Sequence, residues 1–184
     1  MRKIGIIIGS KSDLKQCKEG LEFLEQHSDK AMLLWVRIIS QHRNTLEIQK
    51  LLTSLSNIPI STSSVDALII GAGWANHLTG CSDAFLRYTL RNLEISVIGV
   101  AFEDLSNRDH TQAATLSITE VPKTQVIHQN ESGRKFIGPS GFLNACQFAA
   151  TKELPEIEIP EPVSSLTLTL TQALKIAREE KEKT

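Results

Sequence analysis

Cysteine is scarce in this chain: Cys17, Cys81 and Cys146 are the three in 184 residues, and no two of them form a CxxC pair. An odd number at wide spacing argues against a disulfide framework and fits a reducing, cytoplasmic setting. No two histidines stand four residues apart and no CxxC pair is present, so no metal is expected. Neither G-x-x-x-x-G-K-[ST] nor G-x-G-x-x-G occurs, and no nucleotide cofactor is indicated. An excess of either charge is also missing, with 20 basic and 21 acidic residues giving −1. Such a molecule has no long-range field for a polyanion, so nucleic acid is not an expected partner. No apolar run approaches the roughly 20 residues that a membrane helix needs, and the opening Met-Arg-Lys-Ile-Gly carries no signal-peptide pattern.

Apolar residues make up 41% of the sequence, ample for one core. Ile4–Ile8 is a β-branched run closed by Gly9-Ser10, after which Leu14, Cys17, Leu21 and Leu24 fall at helical spacing. Met32–Ile39 predicts a second strand, followed by helical Leu46, Ile48, Leu51, Leu52 and Leu55. A third strand at Val65–Ile70 precedes a helix over Cys81–Leu90, a fourth is expected at Ile95–Val100 and a weaker fifth at Gln125–His128. Ile- and Val-rich strands without alternation are buried on both faces, which predicts a doubly wound α/β fold with a parallel sheet.

Residues 130–141 hold Gly133, Gly138, Pro139 and Gly141 and are expected to form a flap-like loop before a helix starting near Phe142. The α/β domain is expected over 1–152. Three prolines in ELPEIEIPEP make 153 onward an extended arm, carrying a helix at Leu166–Arg178 and packing on a neighbouring subunit. The charged run REEKEK, 178–183, reads as a solvated helix end.

Ligands of open parallel sheets bind beyond the carboxyl ends of the strands. Here the first three strand ends carry GSKSDL, SQHRNT and GAGWANHLTG. Ser10, Ser12 and Asp13 offer hydroxyls and helix-start amides for a phosphate or a sugar diol, although Ser12 or Asp13 also suits a plain helix cap. Ser40, His42 and Arg43 add a planar cation for phosphate and an imidazole for protons. His77, at a helix start, is a second proton carrier or a cap. His27, His110 and His128, placed in the first helix, a loop and the weak strand, are read as structural or exposed.

With GSKSD, SQHR and GAGWANHLTG in this order, the sequence resembles the PurE family, whose members carry GSxSD, SAHR and GAGGAAHLPG. The likeness extends over about 3–150, through Ser96–Val100 and the helix around Asn144. The resemblance implies a three-layer, flavodoxin-like fold, a homo-octamer, and carboxyl transfer on an aminoimidazole ribonucleotide with CO2 as the moving group and no cofactor. It places Ser10, Ser12 and Asp13 on the ribose phosphate, Arg43 on the phosphate with Ser40 beside it, and His42 as the general acid/base. Gly71, Ala72, Gly73, Leu78 and His77 would line the carboxylate pocket. N5-carboxyaminoimidazole ribonucleotide mutation is the implied reaction. The alternatives are a CO2-dependent carboxylase, which Asn76 and Asp83 suggest, a noncatalytic ribonucleotide binder, or action on another phosphorylated small molecule.

The departures concentrate in the third loop. Trp74 stands for glycine, Asn76 for alanine and Thr79 for proline, Ala101 replaces the proline of GVP, and Pro122-Lys123-Thr124 replaces a Pro-x-Gly. If position 74 is left-handed, tryptophan costs about 1 kcal/mol or more. The loop then takes a different path, the ring fills substrate space, or the ring packs outward at a subunit contact.

Overall fold

The computed structural model describes residues 1–57 and 65–181, with side chains through 178. Four strands, β1 (Arg2–Ile8), β2 (Ala31–Ile38), β3 (Ala67–Ala72) and β4 (Ser96–Ala101), form one parallel sheet in the order β2-β1-β3-β4. The helices are α1 (Lys18–Gln26), α2 (Thr45–Ser56), α3 (His77–Ala84), α4 (Arg108–Thr119), α5 (Gly138–Thr151) and α6 (Leu170–Lys181). A 3₁₀ stretch, Lys11–Cys17, leads into α1, and a π-helical turn, Phe85–Thr89, continues α3.

Alternation along each strand divides the core between two faces. Ile4, Ile6, Ile8, Ile69 and Ile98 pack with Leu24 of α1 and with Phe142, Ala145 and Phe148 of α5. Ile7, Leu68, Ile70 and Val97 pack with Leu52 of α2, Leu78 of α3 and Ala114 and Ile118 of α4. The result is the expected three-layer, doubly wound and flavodoxin-like α/β fold.

Several boundaries differ from the sequence reading, each for a local reason. β3 runs on through Gly71 and Ala72, which pair with Val100 and Ala101, because bare Gly71 admits the Phe102 ring, whose carbons lie 2.6 Å from where a Cβ would stand. The helix after it begins at His77, four residues before the expected Cys81. The fifth strand is reduced to isolated parallel bridges, Ile98 to Ile127 and Ala101 to Ile137. α5 starts at Gly138 with Pro139 in its first turn, where a proline's missing N–H is harmless. The flap expected over 130–141 is instead a tight turn, with Asn130 Oδ1 accepting from the Ser132 and Arg134 amides, followed by fully buried Phe136. α6 begins at Leu170 rather than Leu166, and the charged run extends from 182 outside the described residues.

Two buried polar knots fasten α3 and the π-helical turn after it, one at the loop-bearing edge and one at the opposite end of the strands. Asn76, fully buried, caps α3: its Oδ1 accepts from Thr79 N (3.1 Å) and Thr79 Oγ1 (2.9 Å), while its Nδ2 donates to Val100 O in β4 (2.9 Å). Thr79 Oγ1 lies a further 3.1 Å from the Ile70 carbonyl of β3. Asn76 and Thr79 are thus matched replacements that staple the third loop to both strands. Ala101 makes similar sense, since its N–H donates to Phe136 O (3.0 Å), which a proline cannot do.

The second knot is an ion pair with both side chains fully buried. Asp83 Oδ1 lies 3.1 Å from Arg87 Nε, Asp83 Oδ2 accepts from Gln125 N (2.8 Å), and Arg87 donates to Asn92 O and Ile95 O (2.7 Å each). Burial raises the Asp83 carboxyl and lowers the Arg87 guanidinium from their ordinary ranges, against the attraction between them.

Asn76→Ala removes a helix cap and leaves the Val100 carbonyl without this donor, so a loss of about 2–3 kcal/mol is expected, or roughly 5–10 °C in Tm by calorimetry. Arg87→Met strands a buried carboxylate and is expected to cost about 3–5 kcal/mol in urea unfolding, with Asp83→Leu/Arg87→Met recovering most of it.

Candidate functional site

The loops leaving β1, β2 and β3 enclose a cavity of about 350 Å³. The first loop contributes Gly9, Ser10, Ser12 and Asp13, the second Ser40, Gln41 and His42, and the third Ala72, Gly73, Trp74 and Ala75, with Leu78 of α3 beneath. Eight of the residues expected from the sequence therefore meet here.

Ser10 caps the 3₁₀ stretch, and its Oγ lies 2.8 Å from Ser12 Oγ, whose hydroxyl reaches Asp13 Oδ1 at 3.4 Å. Burial raises the Asp13 carboxyl, while the Gly73 N–H, the Ser12 hydroxyl and the Lys15 charge pull it back. A carboxylate beside two hydroxyls presents acceptors and donors of the kinds that sugar hydroxyls pair with. From its place in the wall, His42 reaches His77 of α3, with His42 Nε2 and His77 Nδ1 3.1 Å apart and the rings edge to face. One of these nitrogens supplies the N–H and the other the lone pair, so the contact shares a single proton.

Three expected residues stand elsewhere. Gly71 lies within β3 against Phe102 and lines no part of this cavity. His77 joins through its bond to His42 rather than as wall. Arg43 is exposed on the turn that follows His42, outside the wall.

Position 74 is left-handed, with φ at 62°, a conformation that costs a bulky residue about 1 kcal/mol or more. The indole leaves the cavity open. It is 66% exposed and stacks on His110, with ring centroids 3.9 Å apart and planes at 19°.

His110 was expected in a loop and to be structural or exposed; it sits in the first turn of α4, whose Asn107 cap accepts from Asp109 N (3.0 Å). Its Nδ1 lies 2.8 Å from Asp104 Oδ2 and its Nε2 3.2 Å from Asn107 Nδ2, so the amide donates at Nε2 and leaves Nδ1 to donate to the carboxylate. Hydrogen bonds from Ser106, and then from His110, hold Asp104 well below the usual carboxylate range. The Asn-x-Asp cap signal at 107–109 was the clue in the sequence to this helix.

Gln41, which was not among the expected site residues, also lines the cavity, with its Oε1 buried and without a hydrogen-bond partner. A second cavity of about 650 Å³ shares Ser12, Asp13, Gly73 and Trp74 with the first and extends to Lys15, Gln16 and Glu103–Ser106. Gln16 braces it, donating from Nε2 to Glu103 O (2.9 Å) and accepting from Glu103 N (3.0 Å). The three cysteines are free thiols, and burial pushes Cys17 up to about 12, which leaves it no nucleophile at neutral pH. Among the described residues no cluster of His, Cys, Asp or Glu is fit to hold a metal, and no helix is long and apolar enough to cross a membrane.

The AIR carboxylase family model matches residues 3–132. N5-carboxyaminoimidazole ribonucleotide mutase of Vibrio cholerae is 29% identical over 165 residues, covering 89% of this chain and 86% of that protein. The protein of the same name from Aliivibrio fischeri is 28% identical over 148 residues, covering 80% and 78%. The crystal structure of Treponema denticola PurE gives a TM-score of 0.49 at 12% identity, over 99% of this chain and 98% of that one. The family match takes in all three cavity loops and both imidazoles, and the chain belongs to the AIR carboxylase family as a divergent PurE member.

Proposed function

We propose that the chain moves a carboxyl group on an aminoimidazole ribonucleotide, converting the N5-carboxyamino form to the 4-carboxy form in purine biosynthesis. The observation that carries this reading is the His42–His77 contact at the mouth of a hydroxyl- and carboxylate-lined cavity formed by the three strand-end loops. The family and the named mutases among its relatives support it.

The reaction balances within the site. The bond from nitrogen to the carboxyl carbon breaks and frees CO2, and His42 delivers a proton to that nitrogen. The ring carbon then attacks CO2, and the imidazole recovers the proton which that carbon sheds. One shuttle serves both halves, and no oxidant or co-reactant is consumed. His77 sets the tautomer of His42 by taking or giving the proton on their shared contact. Ser10, Ser12, Asp13 and Ser40 hold the ribose phosphate, and Arg43 supplies its cation from the exposed rim. Gly73 and Ala72 leave backbone-lined room for CO2.

Two observations favour this reading over its alternatives. Asn76 and Asp83, the pointers to a CO2-dependent carboxylase, are both fully buried in structural knots away from the cavity wall. A noncatalytic binder was suggested by Trp74 filling substrate space, yet the indole lies against His110 and the cavity keeps a volume in the range of small-molecule sites.

We assign 153–184 to assembly. Gln125 pins the start of the arm, donating to Glu158 O (2.8 Å) and accepting from Glu158 N (2.7 Å), after which Ile159, Val163, Leu166 and Leu170 stand exposed. Apolar side chains strung along an arm in this way suit a neighbouring subunit of a homo-oligomer, with an octamer as the family's precedent.

His42→Asn is expected to lower turnover of N5-carboxyaminoimidazole ribonucleotide by about 10²-fold or more, with ribonucleotide affinity in calorimetry nearly unchanged. Turnover within a few fold of wild type sinks the proton-shuttle assignment. Leu166→Asp/Leu170→Asp is expected to reduce the mass measured by light scattering while leaving circular dichroism intact.

A further inference from the structure

Carboxyl transfer by His42 gives no reason for an indole at position 74. The backbone there is left-handed, which disfavours any side chain, and 66% exposure leaves little burial to offset it. What fixes the ring is its stack on His110, an imidazole itself clamped between Asp104 and Asn107. The indole is thus held rigid in the open. One of its faces is taken by His110, and Trp74 lines both cavities, which also share Ser12, Asp13 and Gly73.

A rigid, half-free aromatic plane beside a sugar-binding carboxylate has one evident use. The electron-rich face repels a phosphate but favours a flat heterocycle stacked upon it. We propose that Trp74, backed by His110, is the stacking platform for the planar ring of the ribonucleotide, so that it determines specificity for an aromatic heterocycle over a bare sugar phosphate. This rests on the ribonucleotide reading above. Trp74 touches the ligand; His110 acts through it as a positioning residue. Backbone-only contact with the ring, which a glycine at this place would give, is replaced by a face-to-face one.

The experiment compares aminoimidazole ribonucleotide with ribose 5-phosphate, by calorimetry and by tryptophan emission. Trp35, the other tryptophan, is partly buried against Gly5 and is absent from both cavities. The expected result is saturable quenching by the ribonucleotide and none by the sugar phosphate, with the quenching lost in Trp74→Phe, whose remaining emission comes from Trp35. Trp74→Leu is expected to raise KM about 10-fold with kcat within about 3-fold, because stacking acts on the bound ring rather than on the transition state alone. Trp74→Phe restores most of that KM. His110→Ala raises KM less and lowers the emission anisotropy of Trp74, a loosening that a purely structural histidine far from the ring would not cause.

Binding heat with the ribonucleotide but unchanged emission overturns the platform alone. Emission that responds to dilution and subunit dissociation, and not to ligand, also overturns it, making position 74 an intersubunit contact. Absence of heat with both compounds overturns the ribonucleotide reading and the platform together.

Discussion

Because β1 is hydrogen-bonded to β2 on one side and to β3 on the other, the loops that leave these three strands open next to one another at the carboxyl edge of the sheet. Strand order alone brings Ser10, Ser40 and Gly73 into one wall, although they are far apart along the chain. Everything chemical follows from holding that edge still. Gln16 fastens the first loop to Glu103, and Asn76 fastens the third to Val100. His42 meets His77 across the second and third. Each tie joins a loop to an element from a different part of the sequence, so the geometry of the cavity is set by tertiary hydrogen bonds rather than by the loops themselves.

Rewriting glycine-dependent turns without losing the path they need takes compensation. At position 74 the left-handed backbone persists under tryptophan, and at Lys123 it recurs with φ at 62° in the altered Pro-x-Gly turn. A β-branched or bulky residue in this region loses energy that must come from elsewhere. At Trp74 the His110 stack supplies part of it; at the α3 start, Asn76 and Thr79 replace the stiffness of a proline with three side-chain hydrogen bonds. The third loop is therefore altered in composition and tighter in bonding.

Much of the fold was legible because Ile4–Ile8 and Ile95–Val100 are continuous apolar runs of strand length, a pattern with few alternatives. The errors fall where one residue type serves two ends. Gly71 read as a turn and is strand, since what it admits is a ring from Phe102, and Pro139 read as loop and opens a helix. Asn76 read as a pointer to a carboxylase, yet all of its partners are backbone or Thr79, a pairing visible only once β4 is beside β3. His110 was hidden for a related reason: α4 buries little, chiefly Ala114 and Ile118, so its periodicity is faint. Ser10, Asp13 and His42 stand in short motifs at strand ends and meet in one cavity wall, whereas the stack of Trp74 on His110 joins two separate loops and leaves no pattern in the sequence.

That cooperation bears on water. CO2 held between release and recapture has to be kept from hydration, and a proton shuttle works best where solvent does not compete for the proton. In the isolated chain His42 and His77 both lie exposed, so the cavity wall by itself does not meet this demand. The planar ring of the substrate, lying on Trp74, would cover one side of the cavity, because an indole fixed by His110 leaves the ring little room to tilt and admit solvent. In the proposed assembly, neighbouring subunits joined through the exposed arm close further surface. Under the proposed function, dryness would be a property of the loaded oligomer, so that the two imidazoles could stand open to solvent in the empty chain and still be screened from it when substrate is bound.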